Sequence, residues 1–95
     1  MKIEFDPSKN ARNIEKHGIS FMRAADLDWS TALFAPDKRY AYPETRFQVM
    51  AMLGERLHML IITPIPDGIR VISFRKANDR ERKVYAAPQD QRSSG

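Results

Sequence analysis

The chain of 95 residues has no cysteine and only two histidines, His17 and His58. The first absence removes disulfides, thiolate zinc sites and thiol nucleophiles together, and gives no sign of an oxidising compartment. The second leaves too few imidazoles for a dedicated metal site, so neither a metal nor another cofactor is expected. Glycine is scarce too, at four. The sequence contains no glycine-rich phosphate loop and no serine-centred nucleophile elbow. Long hydrophobic runs are also missing. The longest mostly apolar stretch, Leu57 to Ile62, is interrupted by His58 and falls far short of the roughly 20 residues a membrane span needs. The opening Met1-Lys2-Ile3-Glu4 does not read as a signal peptide, because acid and Pro7 follow where an apolar stretch belongs. A cytoplasmic protein without membrane contact is expected.

What is present is ordinary globular material, 42% hydrophobic and 29% charged, which argues against disorder. A chain of this size builds one modest core, and residues 1–87 read as a single domain followed by a polar tail over 88–95. The formal charge is +4, and its distribution says more than its size. Acid and base balance over residues 1–68 and again over 86–95, so the excess lies between Ile69 and Tyr85. There Arg70, Arg75, Lys76, Arg80, Arg82 and Lys83 face only Asp79 and Glu81. A phosphate-binding surface needs such a patch, although a solvated helix face carries the same charge.

The pattern predicts an α+β fold. Ile3 to Phe5 reads as a short strand. Asp6-Pro7 then starts a helix, since Asp accepts orphan N–H groups and Pro suits the first turn, and His17-Gly18 ends it. Ser20 caps a second short helix reaching about Leu27. Four strands follow at Thr31 to Ala35, Arg46 to Leu53, Arg56 to Thr63 and Ile69 to Phe74, with a tight turn at Gly54-Glu55. Together they predict an antiparallel β-meander packed with two N-terminal helices and one C-terminal helix. Phe47, Val49, Ala51 and Leu53 alternate onto one face, leaving Arg46 and Gln48 on the other. Asn78 with Glu81 matches a capping box for the last helix, on which Glu81, Arg82 and Tyr85 share a face. Pro88 is expected to end it.

Without a metal or a thiol, the remaining chemistry is acid–base work and electrostatic stabilisation of an anion. RNA suits that inventory, because its 2′-hydroxyl is its own nucleophile. Arg75, Lys76 and Arg82 are candidates to hold phosphate. Glu81, His17 or Lys16 are candidate bases, and Tyr85 or His17 candidate acids. Each has a plainer reading: Glu81 as a capping or arginine-pairing carboxylate, Tyr85 as an aromatic over the core, His17 as a cation at a helix C-terminus. Arg46 has Glu44 and Glu55 as possible surface partners. His58 reads as a strand residue without a catalytic part, and Met50, Met52 and Met59 as core filler or a partner surface.

These residues also form a recognisable series. Phe5-Asp6-Pro7 with Lys9, Asn13 and Lys16-His17-Gly18, then Phe21 and Ala24-Ala25, resembles the opening of the BrnT toxin family. Glu44 and Arg46, Gly54, Ile72-Ser73-Phe74-Arg75-Lys76-Ala77, and Glu81-Arg82 with Tyr85 continue the resemblance to about residue 85. Two positions depart from the family pattern, Phe5 where Trp is common and Phe74 where a small residue is usual. The resemblance implies a compact fold similar to the RelE ribonuclease toxins and metal-independent endoribonuclease activity that inhibits translation. It also implies an antitoxin resembling BrnA, a ribbon-helix-helix protein through which alone the complex contacts operator DNA. Carried over residue by residue, it points to Lys16, His17, Glu81 and Tyr85 for catalysis. Arg46, Arg75 and Arg82 join them, and with Lys76 and Arg80 from the basic patch they make up the expected RNA-binding set. The rival reading is a nucleic-acid-binding or antitoxin-binding partner without catalysis.

Overall fold

Both strong helix-start signals in the sequence form helices. In the computed structural model, which describes residues 1–87, Asp6 caps α1 (Pro7–His17) by accepting the Ser8 N–H at 2.8 Å. Gly18, at φ 73°, closes it with its N–H on the Ile14 carbonyl. The capping box of α2 (Asp79–Ala86) is complete in both directions between Asn78 and Glu81. The second short helix, Phe21–Asp26 capped by Ser20, is of the 3-10 type. Six residues from Phe21 give little room for α-helical turns before the chain becomes a strand at Asp28. The polar tail and the stop at Pro88 lie outside the described residues.

The strands are β1 (Lys2–Glu4), β2 (Asp28–Pro36), β3 (Phe47–Leu53), β4 (Arg56–Ile65) and β5 (Gly68–Lys76). They form one sheet in the order β1-β5-β4-β3-β2. The meander from β2 to β5 is antiparallel as expected, but the sheet as a whole is mixed, because β1 joins β5 in parallel. Such a partner, more than 60 residues away in the chain, leaves no local mark in the sequence. Its imprint is Gly68, where a Cβ would stand 1.9 Å from the Lys2 carbonyl oxygen. Strand β2 starts at Asp28, earlier than the pattern predicts, and its pairing with β3 is irregular between Asp28 and Leu33.

Register separates the two faces. Phe34, Val49, Leu60 and Phe74 stand opposite one another across β2 to β5, and the last three are fully buried. On this face Phe21, Ala24 and Leu27 close the core. Both departures from the family pattern fall here. Phe5 packs edge-on against Phe21 at 5.7 Å, and Phe74 fills the centre. The next row, Leu33, Met50, Met59 and Arg75, points to the other face. Strand β4 crosses the middle and is buried from Leu57 to Ile62.

Strand β1 pairs only as far as Glu4 with Arg70, so the outer edge of β5 beyond that point has no strand beside it. The side chain of Asn13 takes the strand's place. Its Nδ2 donates to the Phe74 carbonyl at 2.8 Å and to the Ile19 carbonyl at 2.9 Å, while its Oδ1 accepts the Phe74 N–H at 3.2 Å. One amide thereby pins the last turns of α1 to β5. Asn13→Leu leaves both Phe74 backbone groups buried without partners, at about 1–3 kcal/mol each. Urea denaturation is expected to show a loss on the order of 2–4 kcal/mol, and a loss within error of zero would contradict this role.

Candidate active site at the end of strand β5

Arg75 stands on the non-core face because its neighbour Phe74 is committed to the core. Its guanidinium makes a two-pronged pair with Glu81, Nη1 to Oε1 and Nη2 to Oε2, both at 2.8 Å. Glu81 Oε1 also accepts the Asn78 N–H at 2.9 Å. The capping box that starts α2 thus fixes the carboxylate that fixes Arg75. The Arg75 hydrogen bonds hold the Glu81 carboxyl below its ordinary range, burial opposing, and Arg75 is reciprocally held in its charged form. Glu81 is therefore an ionised carboxylate with both oxygens engaged.

The Asn13 clamp brings the end of α1 to the same corner. His17 is half-buried there and Lys16 exposed. Burial lowers the His17 pKa, and the charges of Lys16 and Arg75 lower it further. The neutral form of the imidazole is thus favoured at the corner where Glu81 fixes the Arg75 guanidinium. Neutral imidazole is a competent proton acceptor, and a guanidinium suits a phosphate oxygen.

The other candidates are distributed more widely. Arg80 lies close enough to help hold Glu81 ionised, and Arg82 pairs with Asp79 along the exposed side of α2. Lys76 follows Arg75 in the strand and so points to the opposite face, paired in register with His58. The Tyr85 hydroxyl donates to the Thr31 carbonyl at 3.0 Å, which ties α2 to the β2 side of the sheet. Arg46 precedes β3, pairs with Glu44 at 2.6 Å and lies 4.0 Å from the Tyr42 ring centroid. His58 is buried with its Nδ1 2.9 Å from the Arg56 carbonyl and its ring against Phe74, so it belongs to the core.

One residue that sequence reading passed over is Arg39. Its positive charge repels that of Arg75, so the loop between β2 and β3 places a second guanidinium within electrostatic reach of the corner. Arg39 is held by two bonds to Asp37, at 2.8 and 2.9 Å. The Asp37-x-Arg39 spacing was visible in the sequence, but only the folded loop shows where it points. Among the described residues no group of three or more carboxylate, imidazole or thiol side chains is placed to hold a metal ion.

Asp37 itself is buried, and its pKa falls from 3.8 to about 2, chiefly through the Arg39 hydrogen bonds. A carboxyl depressed on folding contributes stability that is complete above the unfolded value and is lost as pH falls toward about 2. Thermal midpoints of wild type and Asp37→Asn are therefore expected to converge as pH drops through that window. A constant difference between them would contradict this.

The chain matches a family model described as the ribonuclease toxin BrnT of a type II toxin-antitoxin system, over residues 5–81. It is also similar to the Brucella abortus ribonuclease toxin BrnT, whose crystal structure was solved at 1.1 Å resolution. The identity is 30%, the TM-score 0.62, and the match covers 83% of this chain and 99% of the other. A comparison with curated proteins found no significant match.

Proposed function

Since the chain belongs to the BrnT family of ribonuclease toxins of type II toxin-antitoxin systems, we propose that His17 and Arg75 form its RNA-cleaving centre. The observation that carries the reading is the Arg75 guanidinium, locked by two 2.8 Å bonds to Glu81 at the corner to which the Asn13 amide ties the end of α1 and so His17, whose pKa is lowered there by burial and by the charges of Lys16 and Arg75. His17 takes the proton of a ribose 2′-hydroxyl, and the freed oxygen attacks the adjacent phosphorus. Arg75 stabilises the charge gathering on the phosphoryl oxygens. The bond to the 5′-oxygen breaks as Lys16 supplies its proton, leaving a 2′,3′-cyclic phosphate and a 5′-hydroxyl. No metal takes part in this scheme.

Glu81 acts here by positioning Arg75. Tyr85 anchors α2 through the bond of its hydroxyl to the Thr31 carbonyl of β2, so this scheme gives it no part in the proton transfer. Arg80, Arg82 and Lys76 contribute to long-range attraction of the RNA backbone. We assign the fold to the RelE-like ribonucleases, the compartment to the cytoplasm and the antitoxin to the BrnA-like ribbon-helix-helix class. Operator DNA is contacted only through that antitoxin. A second reading, RNA binding without cleavage, is favoured by one feature: the Glu81 carboxylate and the Tyr85 hydroxyl are both committed to the fold.

Cleavage of purified total RNA in EDTA separates the two. Arg75→Ala and His17→Gln are each expected to slow cleavage by roughly 10²-fold or more, while Tyr85→Phe cleaves near the wild-type rate. The rising limb of the wild-type pH profile is expected below the ordinary histidine value. Undiminished cleavage by His17→Gln would sink the assigned base, and RNA binding without cleavage by folded wild type would favour the second reading.

A further inference from the structure

Between β2 and β3 the chain runs through residues 37–46 without regular structure, yet it is firmly held. The Asp37 N–H donates to the Arg46 carbonyl at 2.8 Å and closes the loop. The Asp37 side chain is fully shielded and binds Arg39 with both oxygens. Inside this frame Arg46 covers the Tyr42 ring at 4.0 Å while Glu44 holds its guanidinium. Tyr40 then meets Tyr42 edge-to-face, with centroids 5.8 Å apart and planes at 78°. The result is an aromatic ring, Tyr40, that is 72% exposed but supported from behind by a stack of Tyr42, Arg46 and Glu44. Beside it a concavity of about 310 Å³ opens between Pro36, Asp37, Lys38, Tyr42 and Arg46.

Single exposed aromatics are common and need no explanation. Here, however, an exposed ring is braced by a cation–π stack, adjoins a concavity, and lies on a loop that the Asp37–Arg46 and Asp37–Arg39 bonds hold in place. Proteins that handle single-stranded RNA present such a surface to unstacked bases. Lys38, in the concavity wall, adds a cation for the connecting phosphate.

We propose that the 37–46 loop is a base-stacking subsite, in which Tyr40 takes one nucleobase of a single-stranded RNA whose backbone is also engaged at Arg75. The inference rests on the RNA-cleaving reading of the Arg75 corner and adds to it the single-stranded substrate class and a residue that senses a flanking base. Arg46 and Tyr42 are positioning residues, since they act through Tyr40. A duplex cannot use the subsite, because its bases are already stacked.

The test uses the full chain and a short single-stranded RNA oligonucleotide, intact or carrying abasic positions, with binding read by fluorescence anisotropy. Tyr40→Ala is expected to weaken binding of the intact oligonucleotide about tenfold, with Tyr40→Trp restoring it. The abasic oligonucleotide is expected to bind wild type and Tyr40→Ala alike. Because Tyr40 is exposed, the thermal midpoint of the variants should match that of wild type. Equal affinities of wild type and Tyr40→Ala for the intact oligonucleotide would overturn the subsite. So would an equal loss on intact and abasic RNA, which would mean that the loop, and not stacking, had been damaged. If wild type cleaves total RNA and loses that activity with Arg75→Ala while Tyr40→Ala is unaffected, the subsite alone falls. If no version binds RNA, the reading of the Arg75 corner falls with it.

Discussion

The amide of Asn13 is the interaction on which the functional corner depends. Strand β1 is three residues long and leaves the outer edge of β5 uncovered where Phe74 exposes its N–H and C=O. An open edge is both an unsatisfied surface and a template for unwanted pairing. Asn13 covers it from α1 with donor and acceptor together, as the backbone of another strand would. The consequence reaches beyond stability, since α1 ends four residues later at His17, while β5 continues from Phe74 to Arg75. The same contact that satisfies an edge brings His17 and Arg75 to one corner.

Positive charges crowd this corner. His17 lies in the field of Lys16 and Arg75, and Arg75 in that of Arg39. Among the described residues one carboxylate, Glu81, is bonded directly to Arg75, and it is fixed by backbone and side-chain bonds before any substrate arrives. A guanidinium held in this way needs no reorganisation to meet an anion. Helix α2, with no fully buried residue, is attached mainly by polar bonds: the capping box, the Arg75–Glu81 pair and the Tyr85 hydroxyl. Its place over the sheet therefore follows from the same residues that fix Arg75.

The local signals were legible in the sequence. Asp6-Pro7 and Gly18 bound α1, Asn78 and Glu81 start α2, and the alternation of Phe47, Val49, Ala51 and Leu53 gives the core face of β3. The charge count also located the basic excess where Arg75 and Glu81 stand. What escaped was non-local. The parallel pairing of β1 with β5, the covering of the β5 edge by Asn13 and the reach of Arg39 toward Arg75 each join residues that no short spacing connects. The resemblance to a toxin family picked out Asn13, Lys16, His17 and Arg75 without saying how they meet. The plainer reading of Glu81, as cap and arginine partner, describes the bonds it makes, and Arg46 takes Glu44 of its two possible partners. The opposite directions of Arg75 and Lys76 follow from strand alternation alone, once the strand is known to run through both.

The central claim is that the fold sets the His17 imidazole in the field of the fixed Arg75 guanidinium, which favours its neutral form. An NMR titration of the His17 ring tests it most directly, with the signal assigned by comparison with His17→Gln and the wild type compared with Arg75→Ala. The account predicts that His17 titrates below the ordinary histidine value in wild type and moves upward once the Arg75 charge is removed. A His17 that titrates at the ordinary value and does not respond to the loss of Arg75 would contradict it.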